Sequence, residues 1–114
     1  MRKSGSWVLT LLLVASACAS YSHTDRAQTQ LAFGTDVAKQ GHWREAAFRF
    51  EQAIAKEPGN ARAHNNLAVV LMLTGRAEEA AREARLAEKA GVPPSPRLLE
   101  EIRKRRLEAK APPE

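Results

Sequence analysis

The sequence predicts an all-α fold: two helical hairpins followed by a C-terminal capping helix, stacked as a short α-solenoid. Three observations lead there. From Asp25 onward, segments of about 14–17 residues are broken at Gly41, at Pro58-Gly59-Asn60, at Gly75 and at Gly91-Val92-Pro93-Pro94. That is the rhythm of antiparallel helices joined by short turns. Leu, Ile, Val and Ala outweigh the aromatics, which are 5% of the 114 residues, and no strand signal appears. The chain also resembles itself at an offset of 34 residues.

The elements follow in order. Met1, Arg2 and Lys3 give a basic start, and the apolar stretch Trp7 to Ala17 is eleven residues long. As a helix it would reach about 16 Å, roughly half of a bilayer core. A basic start, a short apolar region and small closing residues predict a signal peptide over residues 1–17. Residues 18–24 then form a polar linker, with Ser22 and Thr24 as N-cap candidates for the first helix. Removing Arg2 and Lys3 lowers the net charge from +5 to +3.

At the 34-residue offset Phe33 falls on Leu67, Gly34 on Ala68, Val37 on Leu71 and Gly41 on Gly75. Ala46 falls on Ala80 and Ala53 on Ala87, so small residues recur where helices must approach. Ala46, Phe50, Ala53 and Ile54 share one helical face, with Glu45, Arg49, Glu51 and Lys56 largely off it. Asn60 is a good N-cap, and Pro58 cannot continue the helix before it. Ser95 caps a last helix with Pro96 in its first turn, acids early and bases late. Leu98, Leu99 and Ile102 can pack backwards from it, and Ala111-Pro-Pro-Glu114 forms a tail.

These features resemble the tetratricopeptide repeat family, with repeats over residues 27–60 and 61–94 and a capping helix over 95–111. The first repeat carries Phe33-Gly34, Lys39-Gln40-Gly41, Trp43, Ala46, Phe50, Ala53, Ile54, Pro58 and Asn60. The second opens with Asn65-Asn66-Leu67-Ala68 and then departs from the pattern at Ala84, Glu88 and Val92, with Pro93 one residue late. Those departures suggest that the array ends there. Ala15-Ser16-Ala17-Cys18 also looks like the lipobox of bacterial lipoproteins. That resemblance implies cleavage before Cys18, acylation of its thiol and N-terminus, and, with Ala19 rather than Asp next, export to the outer membrane facing the periplasm. The alternative is ordinary cleavage after Ala17 or Ala19, leaving a soluble periplasmic protein.

No catalytic constellation, cofactor motif or metal site is legible. The chain's one cysteine excludes an intramolecular disulfide. His23, His42 and His64 lack ligand spacing, and His64 occupies a packing position. Glu78, Glu79 and Glu83 alternate with Arg76, Arg82 and Arg85, as on a solvated helix face. The run Arg103-Lys104-Arg105-Arg106 reads as a soluble helix end, with contact to anionic lipid or an acidic partner as its alternative and no role toward nucleic acid.

The informative stretch is Leu67-Ala-Val-Val-Leu-Met-Leu73, seven apolar residues in a row. A helix with one buried face has no need of it. Leu67, Ala68 and Leu71 serve inter-helix packing, which leaves Val69, Met72 and Leu73 pointing elsewhere. In the family that direction is a concave groove. The resemblance places Leu31, Thr35, Asn65, Asn66, Val69 and Met72 in it. Coverage of Val69 and Met72 by the last helix is the competing expectation. Some members grip an acidic C-terminus with a basic clamp. Here only Asn66 matches, with Leu31, Thr35, Pro96 and Glu100 at the other clamp positions.

The expected function is a lipid-anchored adaptor binding a protein partner at the bacterial envelope and assisting assembly of an envelope complex. The alternative is a fixed structural subunit of such a complex, of the pilus, secretion or cell-wall kind. Two repeats fall short of the roughly three that such arrays need, so self-association or a partner should add stability.

Overall fold

A computed structural model of the chain describes residues 25–114. The signal peptide, acylated Cys18, linker and N-caps expected within residues 1–24 lie outside the described residues. Among the described residues five helices follow one another: α1 over 25–39, α2 Trp43–Lys56, α3 Ala61–Leu73, α4 Ala77–Lys89 and α5 Pro96–Lys110. No strand occurs among the described residues. Each helix packs on the next, and α5 also reaches back to α3.

Backbone chemistry sets the turns. Gly41 and Gly75 hold φ of +81° and +83°, conformations that cost a residue with a Cβ about 1–2 kcal/mol. That geometry lets the following amide reach back: His42 N–H donates to Val37 O at 3.0 Å, and Arg76 N–H to Leu71 O at 2.8 Å. These are matching Schellman closures at matching places in the two hairpins. The starts of α3 and α5 rest instead on side-chain caps. Asn60 Oδ1 accepts from Ala63 N–H at 3.0 Å, and Ser95 Oγ accepts from Leu98 N–H at 3.2 Å. Asn60 and Ser95 are 35 residues apart, against 34 for the paired glycines, so α5 begins one residue late.

The core is aliphatic and alanine-rich. Leu31, Val37, Leu67, Val70, Leu71 and Met72 share it with Leu98 and Ile102, and Phe50 is its one aromatic member among the described residues. Alanines 46, 53, 63, 68, 80, 84 and 87 are almost wholly buried and let the helix backbones approach.

The tightest approach is α1 on α2. A Cβ added at Gly34 would stand 2.7 Å from Phe50 Cε1 and 3.0 Å from Arg49 Cβ. Gly34→Ala should gain about 0.5–1 kcal/mol of helix propensity and lose about 1–3 kcal/mol to overpacking. The clash wins because the Phe50 ring is enclosed and cannot swing away. A net loss in urea unfolding is expected, partly restored by adding Phe50→Leu. A variant more stable than the parent would show that this packing is wrongly described.

His64 joins three pieces of chain. Its Nδ1 lies 2.6 Å from Glu83 Oε2 on α4, and its Nε2 lies 2.8 Å from the Pro58 carbonyl before α3. Between α4 and α5, Arg106 donates to Glu78 at 2.9 Å and holds that carboxyl below the usual carboxylate range.

Candidate functional site

The ends of α1 and α3 and the start of α2 enclose an open groove of about 300 Å³. From α1 come Thr35, Ala38 and Lys39. From α2 come Trp43 and, at the floor, Phe50. From α3 come Asn66, Val69, Val70 and Leu73. The walls are overwhelmingly apolar. Trp43 and Leu73 remain 37% and 41% exposed at the rim, although a closed core would bury both.

Helix periodicity decides which α3 residues take part. At about 100° per residue, Val69, Leu73, Asn66 and Val70 fall within one ~100° arc. Met72 sits about 60° outside it on the far side, and Asn65 beside Met72.

Of the residues expected in the groove, the structure therefore brings Thr35, Asn66 and Val69 together. Leu31 and Met72 are not groove walls. Both are core residues, Met72 with 8% exposure, in the cluster that includes Leu98 and Ile102 of α5. Met72 is thus closed into the core, while Val69 stays half-exposed. Asn65 is half-exposed and is not among the residues lining the groove.

Trp43, Ala38 and Lys39 join the site from outside the α3 run. One sequence signal for Trp43 was available: a large indole directly after a glycine turn, where an exposed residue is expected.

The groove has chemistry for recognition. Its apolar lining offers a surface to bury. The Asn66 amide takes no hydrogen-bond partner among the described residues, which leaves a donor and an acceptor for a ligand backbone. Lys39 is the charged member, held loosely by Asp36 at 3.9 Å. Among the described residues no group of three or more His, Cys, Asp or Glu is placed to hold a metal ion. No helix there is long and apolar enough to cross a membrane.

Comparison with protein families gives a match to the family described as Tetratricopeptide repeat over residues 31–96, more than half of the chain. The comparisons with curated proteins and with solved structures returned no match. The matched span runs from α1 to the first residue of α5, so it takes in the paired turns, both hairpin crossings and the groove. The chain belongs to the tetratricopeptide repeat family, a family of non-catalytic scaffolds for protein–protein interaction.

Proposed function

We propose that this protein is a lipid-anchored adaptor that holds a protein partner in the α1–α3 groove at the membrane surface of a bacterial envelope. The observation that carries the binding part is the pair Trp43 and Leu73. These are large apolar side chains left open beside an Asn66 amide that has no hydrogen-bond partner among the described residues, and the face of α3 opposite Leu73 is used for packing. The anchor rests on the sequence Ala15-Ser16-Ala17-Cys18 after a short apolar stretch. Assistance in assembling an envelope complex follows from joining those two parts.

Burying two or three such side chains offers about 1.5–3 kcal/mol each before association costs. Photo-crosslinking from position 39, at the exposed edge of the groove, in cells, followed by mass spectrometry, should capture one dominant partner. Leu73→Glu should abolish that capture while the circular dichroism spectrum stays helical. Intact-mass measurement of the same preparation reads the lipid on Cys18. Unchanged capture by folded Leu73→Glu would falsify the groove assignment.

A second reading, a fixed structural subunit, has one observation in its favour. Phe33 is 44% exposed on the front of the array, whereas its repeat equivalent Leu67 is 3% exposed. Phe48 stands open nearby, and the Arg49 guanidinium lies 4.4 Å from the Phe33 ring centre and 5.6 Å from that of Phe48. If Phe33→Ser, and not Leu73→Glu, abolishes partner capture, this reading replaces the first.

A further inference from the structure

Short turns make neighbouring helices antiparallel, so α1, α3 and α5 start at the end of the array where α2 and α4 finish. That end presents Arg26, Lys56, Arg62, Lys89 and Arg97, one from each helix and all exposed. The ion pairs among the described residues involve none of these five. Residues 1–24 contain no acid that could pair with them. Asp25 and Glu88 are the exposed acids at the same end, while Glu57 is partly buried with Oε2 closed off from solvent.

Between the ends, Arg82 and Arg85 on α4 and Lys104 on α5 are likewise exposed and outside these ion pairs, but the far end is different. At the opposite end Lys39 pairs with Asp36, Arg76 with Glu79 and Lys110 with Glu78, Arg44 being the exception. The basic run that stands out in the sequence is largely neutralised, because Arg103, Arg105 and Arg106 pair with Glu100, Glu101 and Glu78. Uncompensated positive charge therefore collects where α1 begins.

We propose that this helix-end face seats on anionic lipid headgroups. It deepens the lipid-anchor reading and rests on it for one argument. Seven residues lead from Cys18 to Asp25, a reach of at most about 25 Å. An acyl chain on Cys18 thus delivers this end of the array to the membrane. One cation per helix spreads the charge over a broad face, which suits a plane of phosphodiesters better than a single peptide. The attraction acts within about a Debye length, ~8 Å at physiological salt, so it sets orientation at contact. The groove is built from the far halves of α1 and α3 and would then open away from the bilayer.

The full chain is mixed with vesicles of phosphatidylglycerol and phosphatidylcholine, or of phosphatidylcholine alone. It is then treated briefly with an amine-acetylating reagent and mapped by mass spectrometry. With the anionic vesicles, Lys56 and Lys89 should lose labelling several-fold while Lys39 and Lys110 keep theirs. High salt should restore labelling, and so should Arg62→Gln/Arg97→Gln. Equal labelling in both vesicle types, or protection of both ends together, overturns the proposal. Protection by soluble polyglutamate but not by anionic vesicles also overturns it, in favour of an acidic protein partner. Intact mass separates the two readings. An acylated chain without protection refutes the lipid-seating face alone. Protection of an unacylated chain refutes the anchor alone.

Discussion

Phe50→Ala is expected to lower the stability of this protein by about 3–5 kcal/mol, a large part of the ~5–15 kcal/mol typical of a folded domain. Three features place it at the high end. The ring is 1% exposed and is the largest fully buried side chain among the described residues. Its neighbours along α2, Ala46, Ala47 and Ala53, are too short to refill the space. It also floors the groove and fills the gap over Gly34, so its loss loosens the α1–α2 crossing and the site together. Phe48→Ala is the control. Phe48 is two residues away and 51% exposed, and its change should stay within about 0.5 kcal/mol. Denaturant unfolding followed by circular dichroism reads both. A loss below about 1 kcal/mol for Phe50→Ala would mean that the first hairpin is not the packed unit described.

His64→Ala should cost about 2–3 kcal/mol, chiefly through hydrogen bonding. The ring is buried, with Nδ1 2.6 Å from Glu83 Oε2 and Nε2 2.8 Å from the Pro58 carbonyl oxygen. Alanine removes both ring contacts, to Glu83 and to the Pro58 carbonyl. The Glu83 side chain is 22% exposed and can recover part of its hydration, which keeps the loss below the full burial penalty. Gln at position 64 keeps a polar group there and should recover part of the stability. A double-mutant cycle with Glu83→Ala isolates the pair. Strict additivity in that cycle would show that the contact does not hold α3 to α4.

The helix boundaries were legible because they are written in residues whose backbone chemistry leaves little choice. Gly41, Gly75, Pro58 and Asn60 each force or close a turn locally. The groove was legible only in part, for a physical reason. Seven consecutive apolar residues contain no polar member to set the phase of the helix, so nothing local separates Val69 from Met72. The distinction comes from tertiary packing: Met72 is closed into a core that also holds residues as far along the chain as Leu98 and Ile102, whereas Val69 stays half-exposed. Trp43 and Lys39 belong to other helices, and their meeting with Asn66 depends on how the hairpins stack. Charge shows the same limit. Arg103, Arg105 and Arg106 look like a basic patch when read in order, yet the acid facing Arg106 is Glu78, 28 residues earlier. Arg26, Lys56, Arg62, Lys89 and Arg97 lie on five different helices and form a face only after folding.

The contact between Gly34 and Phe50 also bears on how the two hairpins could have diverged. The equivalent positions in the second hairpin hold Ala68 and Ala84, a middling pair in place of a minimal one and a bulky one. Moving between these solutions takes two substitutions, and either order passes through a worse intermediate. Phenylalanine opposite alanine is crowded, and glycine opposite alanine leaves a void. With respect to this pair the unit of exchange is the whole hairpin, and recombination within either one would be selected against unless both halves of the pair travelled together.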